Sequence, residues 1–147
     1  MFKRIHFIAL VSGKQDEFPR YTAYFFEKEE KVVLPVTLSK AEVRHLLATG
    51  QKYLTRRQNI YEAVARIVLG LGAKVISISV YRFQDGEFYT YLNIIKEDEK
   101  LEISIKFSDG VKIAKNSDVP IYIRRDVLLE QGIKVNKEIL RDALRND

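Results

Sequence analysis

The stretch from Lys74 to Ile95 constrains the fold more than any other part of the chain. Its first half alternates: Val75, Ser77, Ser79 and Tyr81 fall on one face, Ile76, Ile78, Val80 and Arg82 on the other. A period of two is that of a strand. Asp85-Gly86 follows, a dipeptide suited to the positive φ of a tight hairpin turn, and Phe88 to Ile95 returns. Leu101, Ile103 and Ile105 then alternate with Glu102, Ser104 and Lys106, which predicts a third, half-buried strand. A chain with this centre has to build a sheet.

The remaining segments supply further strands and the helices that cover them. Residues 2–11 are apolar and β-prone, and the polar run from Ser12 to Pro19 reads as a loop. Tyr21 to Glu27 and Lys31 to Leu38 read as strands, with Pro35 pointing to an edge or a bulge because it has no N–H to donate. Ser39 offers an N-cap with Glu42 three residues on, the spacing of a capping box. That helix runs to about Thr49, with Gly50 as its stop. A basic link follows, Gln51 to Gln58. Asn59 is a second N-cap candidate with Glu62 three residues later, and Ile60, Val64, Ile67, Val68 and Leu71 form an apolar stripe of helical spacing. Ser108 or Asp109 caps a short helix to about Lys115, Val119 to Ile123 is a short strand, Asp126 to Gln131 a brief helix, and Asn136 caps a last helix over about 137–145.

Two segments resemble each other. Tyr21 to Ser39 and Tyr89 to Ser108 both read strand, charged turn, strand, serine cap and helix, at an offset of 68 to 69 residues. A single β-β-α unit cannot bury its sheet face alone, whereas two packed together can. The expectation is α+β: a single domain over residues 1–147, with a mixed β-sheet, helices packed on it and a duplicated β-β-α unit as one account of its origin. A chain of 147 residues is long enough for one core without staples.

Composition removes several classes of function. With no Cys, the chain has no disulfide scaffold, no Cys-ligated zinc or iron–sulfur site and no thiol nucleophile. Two His residues do not make a His-rich metal cage. No segment reaches the ~18 consecutive apolar residues of a membrane span. The apolar start is broken by His6 and lacks a small-residue cleavage site, so it reads as a strand and not a signal peptide. The expected setting is cytoplasmic, with no membrane partner. Lys and Arg number 25 against 20 Asp and Glu, a formal net charge of +5, which is compatible with a polyanionic partner such as RNA or DNA.

No Gly-rich phosphate loop, His-Glu-x-x-His or Gly-x-Ser-x-Gly is present, so the expectation is a carboxylate as general base, or no general base at all. Glu42, Glu62 and Asp109 are the candidates. Together they could hold a divalent cation, Mg²⁺ or Mn²⁺, for phosphodiester hydrolysis; alternatively, capping explains both glutamates and an ordinary helix start explains Asp109. Lys52, Arg56, Arg57 and Arg66, interleaved with Tyr53 and Tyr61, concentrate positive charge where a nucleic acid could bind through phosphates and stacked bases, or form a solvated face. Lys106, beside the Ser108-Asp109-Gly110 turn, could meet a phosphate.

The order of these pieces resembles the bifunctional nuclease domain family, over roughly residues 8–133. The resemblance rests on Leu71-Gly72-Ala73-Lys74-Val75, on Gln84 to Leu92 (the family shows Asp-Gly-Thr-Phe-Tyr-Ala-x-Leu), on Leu34-Pro35-Val36 with Glu42, on Lys106-Phe107-Ser108-Asp109-Gly110 and on Val119 to Ile123. Where the family tends to have Arg-Pro-x-Thr-His-Asp, this chain has Arg57-Gln58-Asn59-Ile60-Tyr61-Glu62, and Lys106-Phe107 stands in place of Arg-Pro. The resemblance implies cleavage of RNA and DNA without fixing a catalytic set; the leading reading has Glu42, Glu62 and Asp109 as catalytic acids that hold a divalent metal or activate water, and Arg57 and Lys106 neutralising phosphate. A non-catalytic binding module and a structural homo-oligomer are the other two readings. On the nuclease reading, Asp109→Ala abolishes cleavage and leaves thermal unfolding nearly unchanged.

Overall fold

The computed structural model describes residues 1–15, 18–43 and 60–135. Its strands are β1 (Phe2–Gln15), β2 (Phe18–Glu27), β3 (Val32–Leu38), β4 (Lys74–Gln84), β5 (Glu87–Lys96), β6 (Glu99–Ile105), β7 (Ile121–Arg124) and β8 (Ile133–Lys134). Its helices are α1 (Ile60–Gly70), α2 (Phe107–Ser117) and α3 (Arg125–Gln131), with residues 40–43 also helical. The strands form one mixed sheet in the order β6-β5-β4-β7-β1-β2-β3-β8. All pairs are antiparallel except β4 with β7, which is parallel. The α+β expectation holds.

The central hairpin forms as its sequence demands. Asp85 and Gly86 both take positive φ, 55° and 78°, the pairing of a primed turn whose twist matches its strands. The face assignment in β4 holds from Ser77 to Val80 and fails at both ends. Register shifts between Val75 and Ser77 and between Val80 and Arg82 are bulges, each inserting one residue and turning the following side chains over. Val75 therefore joins Ile78 and Val80 in the core, and Arg82 joins Ser77 and Ser79 on the other face.

The polar run Ser12–Pro19 is not simply a loop: β1 continues to Gln15 and β2 begins at Phe18, with Lys14 opposite Pro19. Pro35 does lie at an edge, because β8 pairs only with Val32 and Val33. Both halves of the internal resemblance are a hairpin followed by a helix, β2-β3 then 40–43 and β5-β6 then α2. The serines differ. Ser39 forms the capping box with Glu42, whereas α2 starts at Phe107 behind an N-cap at Lys106 that makes no side-chain bond, which puts Ser108 inside the helix. Asn59, Asn136 and the expected helix over 137–145 lie outside the described residues.

One core holds the layers together. The inward row Leu92, Ile78, Ile121 and Ile5 runs across β5, β4, β7 and β1 and is buried throughout, with Tyr61, Val111 and Val127 of the three helices in the same cluster. The sheet curves strongly. β3 and β6 are separated by β5, β4, β7, β1 and β2, yet residues of both line one cleft. α2 lies within this curve because Gly110 gives it room: a Cβ there would stand 3.0 Å from Ile78 Cγ2 and 3.2 Å from Thr90 Cγ2. Gly110→Val should cost about 1–3 kcal/mol through overpacking, read as a fall in Tm of roughly 2–4 °C per kcal/mol. An unchanged Tm would mean that α2 lifts off the sheet freely.

Candidate functional site

The two strand-to-helix junctions, Val36 to Glu42 after β3 and Ser104 to Ser108 after β6, face each other across a cleft of about 710 Å³. The hairpin turn and first residues of β5, Gly86 to Thr90, close a third side. The α2 N-terminus opens onto it, and the unpaired N–H groups of a helix start favour an anion.

Glu42 ties the two junctions together. Its carboxylate accepts the Ser39 N–H at 3.0 Å, its own N–H donates to Ser39 Oγ at 3.2 Å, and the Ser108 hydroxyl bonds to the carboxylate from the opposite wall. Burial would raise the pKa of this acid. The hydrogen bonds from Ser39 and Ser108 and the charge of Lys106 outweigh burial and hold the carboxyl below its ordinary value. Lys106 itself is exposed at the rim.

Asp109, on the next residue of α2, faces α1. Tyr61 donates its hydroxyl to Asp109 Oδ1 at 2.9 Å, and burial together with that bond pushes the phenol pKa well up. Lys112 lies one turn further along α2 and is only 6% exposed. Its ammonium stands 5.5 Å from the centre of the Tyr61 ring. Burial pushes its pKa down, and the charges of Asp109 and Glu42 pull against that shift. Two of the three acids named from sequence therefore flank one buried lysine.

The third does not join them. Glu62 pairs with Arg66 at 2.8 Å, one helical turn along α1. Among the described residues no group of three or more His, Asp or Glu is spaced to hold a metal ion. The donor set Glu42, Glu62 and Asp109 thus does not fit a shared Mg²⁺ or Mn²⁺ site. Lys52, Arg56 and Arg57 lie outside the described residues. His6 carries no metal-ligand cluster; burial, then the charges of Arg4 and Lys28, pushes its pKa down.

Lys112 had no motif to announce it. Its spacing of three from Asp109 on a helix is the signal that places the two on one side. Asp109→Ala should abolish any chemistry that needs this acid, and it should also cost about 1–3 kcal/mol, because it removes the acceptor of the Tyr61 hydroxyl and a counter-charge of a buried lysine. The near-unchanged unfolding expected from sequence applies better to Asp109→Asn, which keeps an acceptor. Thermal melts of the two variants side by side check this; equal Tm values would remove the Tyr61 bond from the stability of the site.

The family model of the bifunctional nuclease domain matches residues 25–136, a span that contains the whole cleft. An uncharacterized protein of Mycobacterium tuberculosis (strain CDC 1551 / Oshkosh) is 26% identical over 110 residues, covering 75% of this chain and 65% of that protein. Bifunctional nuclease 1 of Oryza sativa subsp. indica is 26% identical over 112 residues, covering 74% of this chain and 34% of that protein. The chain spans less than two thirds of the length of these relatives. No helix among the described residues is long and apolar enough to cross a membrane.

Proposed function

Because the chain belongs to the bifunctional nuclease domain family, we propose that it binds RNA or DNA and hydrolyses phosphodiester bonds at the cleft between the two strand-to-helix junctions. The observation that carries this reading is the juxtaposition of an ionised carboxylate, Glu42, with a lysine, Lys106, and the N-terminus of α2 around one opening. A phosphodiester brings one negative charge, and more charge gathers on its oxygens as a nucleophile attacks. Lys106 and the α2 N–H groups meet that charge. Glu42 takes a proton from the attacking water as its oxygen bonds to phosphorus; the bond from phosphorus to the leaving oxygen breaks, and that oxygen takes a proton from solvent. Ser39 and Ser108 hold the carboxylate in place. Asp109 acts at one remove by keeping Lys112 charged and Tyr61 oriented. Glu62, paired with Arg66, takes no part. Lys52, Arg56 and Arg57 supply further phosphate contacts. The second reading, a binding module without hydrolysis, draws on Lys106 and the α2 N-terminus at the same opening, which suit retention of an anion as well as its cleavage.

Purified protein incubated with labelled single-stranded RNA and DNA, with Mg²⁺ or Mn²⁺ and with chelator, tests the proposal. Cleavage that Lys106→Ala weakens supports it, and the chelator arm tells whether a cation takes part. Salt-sensitive retention without cleavage under every condition establishes the binding module instead.

A further inference from the structure

The described helices α1, α2 and α3 pack in a single core with the inward rows of the sheet. One residue along from the buried row Leu92, Ile78, Ile121 and Ile5, the register sets Tyr91 of β5 opposite Ser79 of β4, Ser79 opposite Tyr122 of β7, and Tyr122 opposite Arg4 of β1. This is the outward row. Neighbouring strands are about 4.8 Å apart, so the two tyrosines stand roughly 10 Å from each other, with only the small Ser79 between them. The β4 bulges add to the same face. Tyr81 stacks edge-on between Phe2 and Tyr91, with ring centres 5.1 Å from each. Arg82 lies 4.3 Å over the Tyr89 ring.

Among the described residues some arginines are paired with carboxylates and these two are not. Arg66, Arg124 and Arg125 each bond a carboxylate, whereas among the described residues no carboxylate stands within ion-pair distance of Arg4 or Arg82. Both are exposed. Burial, then the charges of Arg4 and Lys28, depress the pKa of His6 nearby, while the one carboxylate bonded to these rings among the described residues, Glu102, accepts the Tyr81 hydroxyl at 2.8 Å. Aromatic rings separated by a small residue, with unpaired guanidinium groups beside them, are what a single strand needs: flat faces for unpaired bases and cations for the phosphates between them.

We infer that the outer face of the sheet, around Tyr91, Tyr122, Tyr81, Arg4 and Arg82, is a second nucleic-acid surface that binds a single strand by base stacking. It rests on the reading of the cleft as a nucleic-acid site and extends it: the face selects single over double strands, because paired bases cannot splay onto the rings. A duplex offers the same phosphates without the free base faces.

The full chain, in chelator, is titrated with a short fluorescein-labelled oligouridylate and with the same strand in a duplex. Tyr91→Leu combined with Tyr122→Leu, which keeps apolar bulk and removes the flat rings, should weaken single-strand binding about tenfold or more and leave duplex binding nearly unchanged. Arg82→Gln, on an exposed side chain whose loss does not threaten folding, should reduce the salt slope of log affinity by about 0.7. With no Trp in the chain, tyrosine emission should fall on saturation in the wild type and less so in the double variant. Wild-type affinity in both variants overturns the inference and leaves the cleft reading intact, provided cleavage persists. A dimer that the tyrosine substitutions split apart overturns it in favour of a second copy on this face. A wild type that neither binds nor cleaves any strand removes both readings together.

Discussion

Glu42→Gln abolishes phosphodiester cleavage and leaves oligonucleotide affinity close to that of the wild type. Glutamine has the shape of glutamate and keeps an oxygen for the Ser39 N–H and the Ser108 hydroxyl, so the junctions stay tied. It lacks the negative charge and accepts no proton. Loss of a general base typically lowers a rate by about 10²–10⁴, and a drop in that range in single-turnover cleavage is the expected result. A rate within a few-fold of the wild type would move the proton acceptor elsewhere, with Asp109 the next carboxylate to replace. A second readout separates charge from shape. The folded-state pKa of Glu42 lies below its ordinary 4.5, so its ionised form stabilises the fold above the unfolded pKa, and that contribution is lost as pH falls through the folded value. The Tm gap between wild type and Glu42→Gln should therefore be present at neutral pH and close on acidification below about 4.5. A gap independent of pH would mean that the substitution acts through packing.

How much of this was legible in the sequence depended on the range of the interaction involved. The hairpin at Asp85-Gly86 and the capping box at Ser39 and Glu42 are contacts between near neighbours, and the residue types alone specify them. The bulges in β4 were not legible, because alternation shows a period and not where it slips. α1 illustrates the same limit. Of the apolar stripe Ile60, Val64, Ile67, Val68 and Leu71, Ile60, Ile67 and Leu71 are 59%, 61% and 66% exposed, Val64 and Val68 are half-buried, and Tyr61 is the buried residue. At about 100° per residue, Tyr61 lies roughly a quarter turn from Ile60, on the side of Val64 and Val68. Its ring packs into the core and its hydroxyl reaches Asp109 at 2.9 Å, a pairing over 48 residues that no local pattern encodes. The site follows suit. Glu42 and Asp109 were singled out by residue type and resemblance, but the lysine between them carries no motif. Glu62 had the same credentials as Glu42 on paper and was drawn instead into an i,i+4 pair with Arg66, the nearest opposite charge on its own helix.

Phe25→Ala should be the most destabilising single change in the core, and it should disable the cleft without touching it. Phe25 is fully buried on β2. Its ring meets Phe7 edge-on at 5.7 Å and Phe107 at 5.3 Å; Phe107 in turn lies 5.4 Å from Phe88, and Phe88 4.6 Å from Phe83. This run of rings crosses the inside of the curved sheet from β1 and β2, through the first residue of α2, to β5 and β4. Removing a buried phenyl group costs about 3–5 kcal/mol, a large part of the ~5–15 kcal/mol that holds a domain folded, and at this chain length that corresponds to a fall in Tm of roughly 6–20 °C. Phe25→Leu, which leaves less of a void, should cost no more than about 1.5 kcal/mol. The functional consequence follows from where Phe107 sits, between the rim residue Lys106 and Ser108, the residue that anchors Glu42 from the opposite wall. With Phe25 gone, nothing of equal size fixes the start of α2 against β2. Cleavage and strand affinity should therefore fall in Phe25→Ala even well below its melting temperature, and recover in Phe25→Leu. Full activity in a folded Phe25→Ala protein would show that the α2 N-terminus holds its place by the Glu42–Ser108 bond alone.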